Sequence, residues 1–117
     1  MRGPDGLFLT VGEDGTHVWD FETGEPRFTL RGHTARLNQV DISPDGSRIA
    51  TSSDDRTARL WDSATGAELL TLHSHSNLVY GVDFSPDGRL LATASPDGTV
   101  ALHLLPIAEL VELARGR

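Results

Sequence analysis

GHTARLNQVDISPDGSRIATSSDDRTARLWD, residues 32–62, is the stretch that decides the fold. It opens on Gly32-His33, runs through the apolar positions Leu37, Val40 and Ile42, turns at Pro44-Asp45-Gly46 and closes on Trp61-Asp62. Its pieces recur along the chain. Trp19-Asp20 stands 42 residues before Trp61-Asp62, and Pro-Asp-Gly returns at Pro4, Pro44 and Pro86. A fixed period of this length means one supersecondary unit used several times.

The segments between the turns are short and rich in alternating or continuous apolar residues, such as Val79, Val82 and Phe84, or Leu90-Leu91-Ala92 and Val100-Ala101-Leu102. Such runs predict strands. Pro-Asp-Gly presets φ at Pro and permits a positive φ at Gly, which turns the chain between antiparallel neighbours. Asp-Gly at 14–15 and 97–98 does the same for the next hairpin. Ten strands are expected, over about 7–11, 16–20, 26–30, 37–43, 48–53, 57–61, 68–72, 78–84, 89–94 and 99–104. The repeats fall at about 4–31, 32–73 and 74–105, and the first is two residues short between Pro4 and Trp19.

The order Gly-His, Ser-Pro-Asp-Gly, Ser-x-Asp-x-Thr and Trp-Asp resembles the WD40 repeat family over residues 4–105. The resemblance implies an all-β fold, an incomplete WD40 β-propeller of antiparallel four-stranded blades. Residues 1–105 would supply about two and a half blades, the C-terminal ones of a bacterial-type protein. A short amphipathic helix is expected over 106–117, where Pro106 suits a first helical position and Ile107, Leu110, Val111 and Ala114 share one face.

The resemblance also implies a structural hydrogen-bond network. In the second repeat it would join His33, Ser53, Asp55 and Trp61, with the indole N–H of Trp61 donating to Ser53. A Trp buried between blades needs such a partner. The third repeat holds His75, Ser95, Asp97 and His103 at these places, so its Trp is replaced. The first keeps Asp14 and Trp19 but has Gly12 where Ser is expected. Partner-binding positions implied by the family lie on the face carrying the Gly-His and Ser-x-Asp loops. They are Glu13 in the first repeat, Arg36, Asn38 and Asp54 in the second, and Leu78, Tyr80 and Pro96 in the third.

Ser53, His33 and Asp55 also have the residue types of a hydrolase triad. No Gly-x-Ser-x-Gly elbow accompanies them, so the network reading is preferred and no catalytic residue is assigned. His73, His75, Asp97 and His103 have zinc-ligand chemistry, but His75 and Asp97 occupy network positions and no metal is assigned. His103 could instead make its blade pH-sensitive.

The net charge is −7 and all ten basic residues are Arg. An acidic surface repels a phosphate backbone, so nucleic acid is not an expected partner. No run approaches the roughly 20 apolar residues of a membrane span, and the N-terminus lacks the apolar core of a signal peptide. The absence of cysteine suits a cytoplasmic location. The expected function is a non-catalytic protein–protein interaction scaffold, without cofactor, that binds a protein or peptide. Ten strands are too few to close a propeller, so the chain would be a propeller fragment or would complete a ring by homo-oligomerising through unpaired edge strands. The alternatives are a regulatory sensor domain of a larger signalling kinase or NTPase, and a metal-dependent or Ser-His-Asp hydrolase.

Overall fold

In the computed structural model the described residues are 7–12, 15–20, 23–73 and 75–105. They form ten strands: β1 Leu7–Gly12, β2 Gly15–Asp20, β3 Pro26–Leu30, β4 Leu37–Ile42, β5 Arg48–Ser53, β6 Ala58–Asp62, β7 Glu68–Leu72, β8 Gly81–Phe84, β9 Leu90–Ala94 and β10 Val100–Leu104. Antiparallel pairing groups them into three sheets, β1-β2-β3, β4-β5-β6-β7 and β8-β9-β10. The fold is all-β and matches a partial propeller with a four-stranded central blade. The helix expected over 106–117 lies outside the described residues, as do the Pro4 turn, Glu13 and Asp14.

The turns follow from their side chains. In Ser43-Pro44-Asp45-Gly46 the Gly46 N–H donates to the Ser43 carbonyl (2.9 Å), and the Ser43 hydroxyl donates to Asp45 Oδ1 (2.8 Å). The Arg48 N–H then donates to Ser43 Oγ (3.0 Å). Ser85, Asp87, Gly88 and Leu90 repeat the arrangement. Gly46 has φ 76°, a conformation that side-chain-bearing residues seldom adopt.

Strand alternation gives the central sheet two buried faces. Ile49 pairs with Trp61 and Ala50 with Leu60, so these pairs point to opposite sides of the central sheet. Ile49 and Trp61 join Leu9, Val18, Leu30, Val40 and Ile42 in one core. Ala50, Ala58 and Leu60 join Val79, Val82, Phe84, Leu91 and Leu105 in the other. The hydrophobic core is therefore split into two layers, each between neighbouring sheets.

Side chains of β4 also hold the inner strand of the next sheet. Gln39 Oε1 accepts the Val82 N–H (3.1 Å) and Asp41 Oδ2 accepts the Phe84 N–H (2.9 Å). Burial pushes the Asp41 carboxyl above its ordinary pKa, against the lowering effect of the Phe84 and Ile42 N–H groups. β8 begins at Gly81 rather than at 78, where the apolar pattern places its start. The reason is that the preceding residues serve two sheets: the Val79 N–H donates to Ser53 of the central sheet (3.0 Å) and the Tyr80 N–H to Ala94 of the next (2.9 Å).

Arg56 adopts φ 74°, the same left-handed conformation as Gly98 (φ 89°) at the equivalent place in the third repeat. An L-residue pays about 1–2 kcal/mol for this, which the greater entropy loss of Gly partly offsets. Arg56→Gly should therefore stabilise the fold by up to about 1 kcal/mol, read as a higher urea midpoint at unchanged m-value.

Candidate functional site

Of the polar groups expected to form a network, His33 and Asp55 meet, Trp61 does not reach Ser53, and a threonine links the indole to the imidazole. The Trp61 indole N–H donates to Thr51 Oγ1 (2.9 Å). Thr51 Oγ1 also lies 2.6 Å from His33 Nε2, and His33 Nδ1 lies 2.8 Å from Asp55 Oδ2. The Thr57 hydroxyl and backbone N–H both donate to the other Asp55 oxygen. Burial keeps His33 below its ordinary pKa although the Asp55 hydrogen bond and charge pull the other way. A neutral ring gives one consistent proton order. Trp61 donates to Thr51, Thr51 donates to His33 Nε2, and His33 Nδ1–H donates to Asp55. Burial alone would raise Asp55, but the bonds from Thr57 and His33 outweigh it and hold the carboxyl at about 2.

Ser53 has a different task from the one expected. Its hydroxyl donates to the Ala35 carbonyl (3.2 Å) and accepts the Asp55 N–H (3.1 Å), stitching two loops together. The bond from Trp61 goes to Thr51 instead, because Ile49 lies directly opposite Trp61. Thr51 is one pleat away on the same face, and Ser53 is two.

The third repeat keeps this frame with other partners. His75 Nε2 lies 2.8 Å from Thr93 Oγ1, and Thr93 lies 3.3 Å from His103 Nε2, which takes the place of the indole. His75 Nδ1 is 2.7 Å from Thr99 Oγ1, and Thr99 binds Asp97. Burial lowers the pKa of His103, and the neighbouring His75 lowers it further. Ser95 is buried beside this chain. In the first repeat the Trp19 indole donates to Thr10 Oγ1 (2.9 Å). Thr10, Thr51 and Thr93 were not among the expected residues. Their signal was available: each stands 9 or 10 positions before its Trp or His.

The family model described as WD domain, G-beta repeat matches the chain at residues 24–62 and 66–103. The chain belongs to the WD40 family. Among its relatives is THO complex subunit 6 of Arabidopsis thaliana, 38% identical over 54 residues, covering 46% of this chain and 15% of that protein. Nuclear distribution protein PAC1 of Arthroderma benhamiae is 51% identical over 43 residues, covering 37% and 9%. Anaphase-promoting complex subunit cdh1 of Dictyostelium discoideum is 40% identical over 42 residues, covering 36% and 6%. The aligned stretch is thus a small part of each relative.

On the loop face of this WD40 segment the Asn38 amide donates to Asp54 Oδ1 (2.8 Å) and to the Val79 carbonyl (2.9 Å). Asn38 thereby bridges two repeats. The Asp54 N–H donates to the Arg36 carbonyl (2.8 Å), which places Arg36 at one end of the bridge. Tyr80, beside Val79, is 52% exposed. Leu78 is half-buried, while Arg36 and Pro96 are exposed.

The relay's chemistry is structural in form. Both nitrogens of His33 are engaged by Thr51 and Asp55, and the Ser53 hydroxyl is engaged by Ala35 and Asp55, so Ser53 has no base to take its proton. His73 is exposed, away from the buried His75. Among the described residues, no three or more His, Cys, Asp or Glu side chains are grouped to hold a metal ion.

Thr51→Val should strand the Trp61 N–H and His33 Nε2 and cost about 1–3 kcal/mol, measured by urea unfolding. The Asp55 carboxyl, at about 2 when folded against 3.8 unperturbed, contributes stability that is present above about pH 4 and lost as pH falls towards 2. The stability difference between the wild-type chain and Asp55→Asn should therefore shrink through that window. His33 and His103 have lowered folded pKa values relative to 6.5, so they resist protonation when folded. Their contribution is present above pH 6.5 and declines as pH falls below it.

Proposed function

We propose that this chain is a non-catalytic WD40 interaction module that binds a protein or peptide on the face bearing Arg36, Asp54, Leu78, Tyr80 and Pro96. The observation that carries this reading is the Asn38 bridge between Asp54 and Val79, at 2.8 and 2.9 Å. It fixes loops of two repeats as one surface, with an exposed aromatic and an exposed arginine on it. Rigid aromatic and arginine side chains are the residues that most often dominate binding energy. Two of the relatives are named as subunits of complexes, which agrees with a scaffold role.

Finer parts of the proposal rest on composition. The charge of −7 favours a protein over a nucleic acid partner, and the lack of cysteine favours the cytoplasm. In this proposal residues 1–105 are the propeller segment and 106–117 a tail. Self-association through edge strands is supported by β1 and β10, each of which ends its sheet. The relatives are eukaryotic and give no support to a bacterial-type origin.

Peptides selected on the wild-type chain from a displayed library test the binding surface. The double variant Arg36→Glu with Tyr80→Ala should weaken them at least tenfold, the loss of about one hot spot. Equal binding to both proteins would show that the face is not the site.

A further inference from the structure

The chain makes the same joint between sheets twice. In the first, Leu9 and Val18 of one sheet share a buried cluster with Ile49 and Trp61 of the next. In the second, Ala50, Ala58 and Leu60 share a cluster with Val82, Phe84 and Leu91. Each time, the leading sheet contributes its aliphatic face. The following sheet contributes the face on which Trp61, or His103 in the third repeat, is found.

One aliphatic face remains open among the described residues. Strand register puts Val100, Leu102 and Leu104 of β10 on the same side as Leu90, Ala92 and Ala94 of β9. These are the counterparts of Ala58, Leu60, Asp62, Arg48, Ala50 and Ser52, one period earlier. Leu60 is 1% exposed beneath its neighbour, whereas Val100 and Leu102 are each 68% exposed and Leu104 is 79%. The open face is also more apolar than the one it copies. Where the covered face ends in the cross-strand pair Arg48 and Asp62, the open one has the pair Leu90 and Leu104. A contiguous apolar sheet face of this kind marks a contact surface.

The other half of the joint is at the opposite end. The β1-β2-β3 sheet uses Leu9 and Val18 against the central sheet, so Thr10 and Trp19 lie on its other side. Trp19 is half-buried and binds Thr10 as Trp61 binds Thr51.

We propose that a second copy of this chain docks head to tail, laying its β1-β2-β3 face on the open β8-β9-β10 face of the first, with Leu102 against Trp19. The argument for a second copy is that one chain carries both halves of a joint it already forms twice. Such a contact is heterologous, and it builds rings or filaments depending on the rotation between copies. It goes beyond the edge-strand self-association of the proposed function and is independent of the peptide-binding face. It also differs from edge pairing, which needs backbone groups of β1 and β10 and not the side chains of Leu102 and Trp19.

Light-scattering mass measurement across protein concentration, at physiological salt to screen the acidic charge, tests the idea. The wild-type mass should rise above the 12.6 kDa of one chain. Leu102→Asp alters an exposed position and should leave the circular dichroism unchanged while abolishing association. Trp19→Arg should do the same from the other face, with Thr29→Arg on the same face as a second variant should Trp19→Arg unfold. Mixing Leu102→Asp with either of these should restore a dimer, because each copy retains one intact face. Three outcomes overturn the proposal: a wild-type chain at 12.6 kDa throughout, association that survives Leu102→Asp (edge pairing), or association of both folded β1-β2-β3-face variants alone (two open faces meeting each other).

Discussion

A buried indole N–H must find an acceptor, and for Trp61 that acceptor is the hydroxyl of Thr51. Trp61 lies in the apolar layer between the first and central sheets, where an unmade hydrogen bond costs the full desolvation of its donor. Thr51 can serve because its own proton goes on to His33, and His33 passes the demand to Asp55 at the loop. The relay connects a core side chain to the Asp55 loop. That loop in turn is fixed to Thr34 and Thr57 by further bonds to the same carboxylate. The packing of the sheets and the shape of the loop face are thus one structure, not two.

The period of the Trp-Asp pairs and the Pro-Asp-Gly turns made the strands legible, because turn chemistry is local and needs no tertiary information. The network was legible only in part. His33 and Asp55 are marked by the loops they occupy, and they meet in the structure. Thr51 stands in the middle of β5, a strand buried almost throughout, where a threonine reads as an ordinary β-former. Its spacing of 10 residues from Trp61 gains meaning from the cross-strand register, which sets it diagonal to the indole. The loop face was harder still. Asn38 is exposed and looks available for a partner, yet its amide is committed to Asp54 and Val79. A bond spanning 41 residues leaves no trace in local sequence.

The third repeat shows how far the relay can be altered while its frame survives. His103 replaces the indole and lies 3.3 Å from Thr93, a longer approach than the 2.9 Å of Trp61 to Thr51. His75 turns to Thr99, and the contact with the aspartate becomes indirect. A hydroxyl both donates and accepts, so threonines at 93 and 99 absorb these exchanges.

Gln39 and Asp41 take the N–H groups of Val82 and Phe84, each 43 positions further along the chain. The inner strand of one unit is therefore anchored by residues of its predecessor as well as by its pairing with β9. A duplicated unit cannot drift freely after copying: a change at 39 or 41 is felt next door, at amides whose own codons have not altered. In such an array the unit of change reaches beyond the visible blade, into the seam it shares with the next.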